Sequence, residues 1–280
     1  MTTIDAGILD VREAGPADGT PVLLLHGFPQ GADSWDAVVP ALTGAGYRTV
    51  APDQRGYSPR ARPGARADYR LDALVADAVA VIDDRAGGRA HVVGHDWGAA
   101  VAWRLAARHP DRVRTLTALS VPPAAAYARS LVTTRQVLAS WYFVAFQVPG
   151  LAERFLAAGD GPYSRRFTAA LRRSGQSRER ARRDAARFAD PAALTAALNW
   201  YRGVLAGRPG PEDPPVPVPT LFVWSDGDIA ITRQATALVH RHVSGPYRYA
   251  ELRGVSHWIP EEAPDELAEL LLGHLAAHPG

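Results

Sequence analysis

Short apolar runs ending in turn residues alternate with helical patterns, and this alternation constrains the fold of the chain more than any single motif. The runs are PVLLLHG (21–27), YRTVAPD (47–53), RAHVVG (89–94) and VRTLTALS (113–120), separated by SWDAVVPALTGAG, DYRLDALVADAVAVIDD and GAAVAWRLAARHPD. Strands linked through helices pair in parallel, and each crossover lays its helix on a face of the sheet. The prediction is an α/β fold: a mostly parallel central sheet flanked by helices. From about residue 124 to 212 the rhythm stops, and only helical patterns remain, entered at VPPAAA and left through GRPGPEDPPVPVPT. It resumes with TLFVWSDGD, a helix near 232–243, GPYRYAEL and a last helix, PDELAELLLGHLAAH. The expected organisation is a core of residues 1–123 and 213–280 with a helical cap, 124–212, inserted into it. No internal repeat is present, and 280 residues suit one such core.

Composition removes several function classes. There are no cysteines, so disulfides and thiolate metal sites are excluded. No lysine occurs either: the 31 basic residues are all arginine and nearly balance 29 acids, which leaves a formal charge of +2. The densest basic run, SRRFTAALRRSGQSRERARRDAARF, carries interspersed acids and few aromatic residues, so it reads as solvated helix faces rather than a nucleic-acid surface. MTTIDAGILDVREAG lacks the basic segment and apolar run of a secretory leader, and no apolar stretch reaches the ~18 residues of a membrane span. A cytoplasmic enzyme is expected, with no nucleic-acid or membrane partner, and a homodimer stays open. His240, His242 and His274 have surface-helix contexts, and no paired-ligand spacing or glycine-rich phosphate loop occurs. No metal and no cofactor are therefore expected.

Open α/β sheets bind ligands at the carboxyl edge of the strands. Four segments fall there: HGFP (26–29), GHDWG (94–98), SDGDIAI (225–231) and GVSHWIP (254–260). In GHDWG, Gly94 and Gly98 bracket Asp96 with the spacing of a nucleophile elbow, a sharp strand-to-helix turn that needs small residues two before and two after it. A plain helix N-cap at Asp96 would fit the same local pattern. Chain order favours chemistry, because nucleophile, acid and histidine follow at the ends of successive strands as Asp96, Asp228 and His257. Asp226 competes with Asp228 for the acid position, and Ser120, after the preceding strand, offers no carboxylate. His26 and His95 read as structural neighbours of the oxyanion loop and the elbow.

HGFP, DQRGYS, GHDWG and GVSHW, in this order and separated by a helical cap, resemble the α/β-hydrolase superfamily and its epoxide hydrolase branch, which is related to the haloalkane dehalogenases. The resemblance spans about Ile8 to His274. It extends into the cap, where WYFVAFQVPG is similar to the branch's first cap motif, with Tyr142, and LNWYR to the second, with Tyr201. The resemblance implies an Asp96 nucleophile, a Phe28 and Trp97 oxyanion hole, and tyrosine donors for the opening epoxide. Chemistry agrees: an ionised carboxylate can attack saturated carbon without a base, and His257, oriented by Asp228, then activates the water that hydrolyses the alkyl ester. Trp141, Phe143, Phe146 and Trp200 would line an apolar pocket for a small apolar epoxide, with water as the second substrate.

A halide would instead need N–H donors. Many dehalogenases carry asparagine where Phe28 stands, so Trp97 with Trp141 or Trp200 would have to serve, and this keeps dehalogenation as the alternative. Fluoroacetate-type enzymes place arginine after the nucleophile, where this chain has Trp97. A non-catalytic binding protein of the same fold would be expected to lack the triad. The resemblance also reaches bacterial biosynthetic epoxide hydrolases that act on polycyclic natural products, which suggests a tailoring role.

Overall fold

The computed structural model describes residues 6–156, 162–206 and 211–279. Of the segments read from the sequence, residues 1–5 of the N-terminal stretch and 157–161 and 207–210 of the expected insertion lie outside the described residues.

Seven strands form one sheet: β1 (Val11–Ala14), β2 (Pro21–Leu25), β3 (Arg48–Pro52), β4 (Ala90–His95), β5 (Val113–Leu119), β6 (Thr220–Gly227) and β7 (Tyr247–Ser256), in the order β1-β3-β2-β4-β5-β6-β7. Every pairing is parallel except β1 with β3. The parallel sheet matches the expectation from the alternation. The antiparallel edge strand was not foreseen, because VREA is short, half exposed and without alternating hydrophobicity.

Both faces of the sheet are covered, and the side chains divide between them with the two-residue period of a strand. Leu23, Leu25 and Val92 join the helices Leu71–Arg85 and Trp97–Arg108 on one face. Val22, Leu24 and Val93 meet Trp35, Leu42, Leu267, Leu271 and Leu275 on the other. Buried on both sides, β4 lies at the centre of the sheet. Because β2 leads to β3 on one side while β4 leads to β5 on the other, the loops after β2 and β4 diverge and leave a crevice at their carboxyl ends.

Between β5 and β6 the described residues of the segment 124–206 form helices alone as regular elements: Ala124–Thr133, Gln136–Ala139, Trp141–Phe146, Leu151–Leu156, Pro162–Arg173, Arg178–Ala186 and Pro191–Gly203. The last of these starts at a typical signal, Asp190 accepting from the Ala192 N–H, with proline in the first position. Polar links fasten this segment to the core. Arg62 pairs with Asp190 at 2.6 Å, Arg187 with Asp33 at 2.6 Å, and the Trp200 indole donates to the Arg55 carbonyl at 2.8 Å.

Two further expectations need correction. The helix read near 232–243 breaks into Arg233–Thr236 and a 3-10 turn, Val239–His242. His274 is buried at 5% exposure, since its helix packs its apolar stripe against the sheet and carries the imidazole beneath it. Among the described residues no helix is long and apolar enough to cross a membrane.

Candidate active site

The strand-turn-helix junction after β4 places Asp96 at the crevice. Its φ of 52° and ψ of −118° form a sharp turn that leads directly into helix Trp97–Arg108. Side chains at the flanking positions would block it: a Cβ on Gly98 would collide with the Leu25 carbonyl, and one on Gly94 with the Gly98 backbone. A non-glycine residue in that region of backbone space is costly by about 1–3 kcal/mol and persists where its surroundings enforce it. Asp96 is therefore aimed into the crevice by packing, and its side chain makes no N-cap hydrogen bond.

Two other strand ends reach its carboxylate directly, and a third reaches it through His257. From the loop after β2, the Phe28 N–H donates to Asp96 Oδ1 at 2.9 Å. From the loop after β7, His257 Nε2 stands 3.6 Å from Asp96 Oδ2, and its Nδ1 lies 2.8 Å from Asp228 Oδ2. Asp228 Oδ1 accepts from the Ala230 and Ile231 N–H groups at 2.8 and 2.9 Å. Asp228 rather than Asp226 thus faces the imidazole. Asp226 is exposed and accepts from the Gly254 N–H.

One imidazole stands between two carboxyl groups in this row. Burial alone would lower the His257 pKa, yet the carboxylates of Asp228 and then Asp96 outweigh it and raise the value to about 10. Burial also pushes the Asp96 carboxyl up, and His257 with the Phe28 N–H reverses this and holds it below its ordinary value.

Aromatic rings from the helical segment close over it. Tyr201 lies with its ring centroid 4.9 Å from Phe143 and Phe146, 5.0 Å from Trp97 and 5.5 Å from Phe28; Tyr142 lies 6.0 Å from Tyr201. Both phenols have pKa values well above the ordinary tyrosine range. Burial is the main cause, and the Asp96 charge adds to it in each case.

Comparison with known proteins decides the family. The chain matches the alpha/beta hydrolase fold family over residues 20–264. Epoxide hydrolase A of Mycobacterium tuberculosis is 36% identical, covering 95% of this chain and 94% of the relative. The AB hydrolase superfamily protein YfhM of Bacillus subtilis is 35% identical over the same shares. A solved structure, epoxide hydrolase A from Mycobacterium thermoresistibile, superposes with a TM-score of 0.80 at 30% identity and covers 98% of this chain and 97% of that one. The chain belongs to the epoxide hydrolase branch of the α/β-hydrolase superfamily.

Within that branch, two of the expected pocket residues stand elsewhere. Trp141 is 66% exposed on helix Trp141–Phe146, whereas Tyr142 and Phe143, on the same helix, pack against the core. Trp200 is buried behind Trp97 and Tyr57, and its N–H is taken by the Arg55 carbonyl. The structural histidines lie where the sequence put them. His26 Nε2 accepts from the Gln54 N–H at 3.1 Å and so ties the loop after β2 to the loop after β3, while His95 Nε2 lies 2.9 Å from the His257 carbonyl oxygen. Phe167 and Phe188, which pack on Phe28, were not anticipated, because nothing in the sequence sets them apart from core phenylalanines. Among the described residues no cluster of three or more potential ligands could hold a metal ion.

Proposed function

We propose that this enzyme opens an apolar or aromatic epoxide to a vicinal diol through an alkyl ester on Asp96. The observation that carries this reading is the juxtaposition of an ionised, elbow-mounted carboxylate with two phenols, Tyr201 buried and Tyr142 partly buried, whose raised pKa values keep them protonated. In the first step Asp96 Oδ2 attacks an epoxide carbon, the carbon–oxygen bond breaks, and Tyr142 or Tyr201 gives its proton to the departing alkoxide. Oδ1, already held by the Phe28 N–H, becomes the ester carbonyl oxygen.

Alkylation neutralises Asp96 and so removes one of the two charges that raise the His257 pKa. The imidazolium then releases its proton, which restores the phenol. Neutral His257 takes a proton from water, the hydroxide attacks the ester carbonyl, and the oxyanion lies against the N–H groups of Phe28 and Trp97. Collapse expels the diol oxygen, which takes the acid proton from Asp96. Carboxylate, imidazolium and phenol are back in their starting states, so the cycle closes with one water consumed. The helical segment 124–212 acts in this scheme as a cap that supplies the phenols and an apolar ceiling.

Against haloalkanes weighs the supply of donors for a leaving halide. Phe28 occupies the position where asparagine would serve, the Trp200 N–H is already bonded, and Trp141 is on the surface.

Intact-protein mass spectrometry of His257→Gln tests nucleophile and leaving group together. An epoxide should add its whole mass to the peptide that contains GHDWG, whereas a haloalkane would add its mass less hydrogen halide. If no adduct forms with epoxides that the wild-type enzyme turns over, the ester mechanism is wrong.

A further inference from the structure

We propose that Gln136, in the helical segment, is a positioning residue for the Asp228–His257 pair and acts through a single peptide group. Its side chain is fully buried, and all of its hydrogen-bonding capacity toward the core is used. Nε2 donates to the Ala230 carbonyl at 2.6 Å and to Ser140 Oγ at 2.9 Å. Oε1 accepts from the Thr232 N–H at 2.8 Å and from the Thr232 hydroxyl at 3.0 Å. A carbonyl can only accept and a backbone N–H can only donate, so these two partners fix which end of the amide is which.

The Ala230 carbonyl belongs to the same peptide group as the Ile231 N–H, and that N–H donates to Asp228 Oδ1. The chain of donors therefore runs from Gln136 Nε2 through this peptide to the acid, and from Asp228 Oδ2 to His257 Nδ1. Hydrogen bonds in series polarise one another, so the Gln136 donor strengthens the grip of the Ile231 N–H on the carboxylate. The next peptide group is held as firmly: Thr232 donates to Gln136, and the Ile231 carbonyl accepts from the Trp224 indole at 3.0 Å. The same amide reaches the phenol side of the site, because Ser140 Oγ lies 2.7 Å from the Tyr127 hydroxyl, and Tyr127 is one of the groups whose proximity raises the Tyr142 pKa. Gln136 thus ties the acid loop of the core to the segment that carries the tyrosines.

This assignment rests on the ester mechanism and predicts a split between its two steps. Asp96 attacks without help from the acid loop, whereas ester hydrolysis needs a correctly aimed imidazole. In rapid-quench mass spectrometry, Gln136→Leu should form the ester at close to the wild-type rate and hydrolyse it up to about 100-fold more slowly, the scale of a small misplacement in a catalytic geometry. Gln136→Glu provides the second arm. As a carboxylate it presents an acceptor to the Ala230 carbonyl, and when protonated it recovers one donor, so its hydrolysis rate relative to wild type should improve as pH falls. Equal slowing of both steps, or a Gln136→Glu ratio that does not change with pH, would overturn the proposal in favour of a purely structural link. Failure of the wild-type enzyme and His257→Gln to show any ester would instead sink the mechanism on which it rests.

Discussion

Asp96, His257 and Asp228 are held at strand ends by backbone N–H groups and by one another, whereas Tyr142 and Tyr201 are held by ring packing within the helical segment. The first arrangement is directional, and each hydrogen bond specifies an orientation to within tens of degrees. The second is not, since aromatic contacts at 5–6 Å between centroids tolerate sliding and tilting. The difference fits the proposed division of labour. Attack on carbon and aiming of a water demand fixed angles, while a phenol that protonates an alkoxide must follow substrates of differing shape.

Replacing both phenols is the strongest test of this division. Tyr142→Phe with Tyr201→Phe keeps the rings and their packing and removes only the proton donors. Ester formation should fall by on the order of 10²- to 10⁴-fold, the contribution of a general acid, while hydrolysis of a preformed ester is little changed. Rapid-quench mass spectrometry reads the two steps separately. Were hydrolysis to slow in step with formation, the two halves would not be separable and the comparison would fail.

The pH dependence sharpens it further. His257 starts as an imidazolium with a pKa of about 10, and nucleophilic attack by Asp96 does not require it to be neutral. Ester formation should therefore be nearly flat from about pH 6 to 9. Ester hydrolysis requires the free base, so its rate should drop tenfold per unit below the pKa of the esterified state, which lies beneath that of the resting enzyme. Stability follows the opposite trend. Because the folded pKa of His257 is raised above the unfolded value of about 6.5, its stabilising contribution is complete below pH 6.5 and is lost as pH rises toward 10. Thermal denaturation of the wild type and His257→Gln across that range should converge; a gap that widens with pH would show that the imidazolium is not the resting form.

The same contrast explains what could be read from the sequence. The strand-end half was legible because it depends on local rules: a period-two apolar run, two glycines at fixed offsets around Asp96, and an acid and a histidine after later strands. The helical half was legible only through the resemblance of WYFVAFQVPG and LNWYR, which pointed to Tyr142 and Tyr201, and the structure brings their ring centroids within 6.0 Å of each other. The resemblance did not reveal which face of a six-residue helix points inward, and Trp141 was misplaced for that reason. Gln136 carried no signal at all. A glutamine in a helical pattern reads as solvent-facing until its partners, about 95 residues away in the chain, are seen around it.

The smallest expected effects come from the two tryptophans of the helical segment, and they separate burial from exposure within that half. Trp200→Phe preserves most of the ring volume between Trp97 and Tyr57 but removes the N–H that donates to the Arg55 carbonyl. Loss of that buried donor should destabilise the fold by about 1–3 kcal/mol in denaturant unfolding. Trp141→Ala removes a larger side chain, yet one that is two-thirds exposed, and its cost should stay within about 0.5 kcal/mol. Its kcat/KM toward a small epoxide should match wild type, because the indole is exposed while Tyr142, the phenol of the same helix, packs against the core. A drop in kcat/KM for Trp141→Ala without a change in stability would mean that this helix rotates when substrate binds. The ring-packed half would then be mobile in a way that the strand-end half is not.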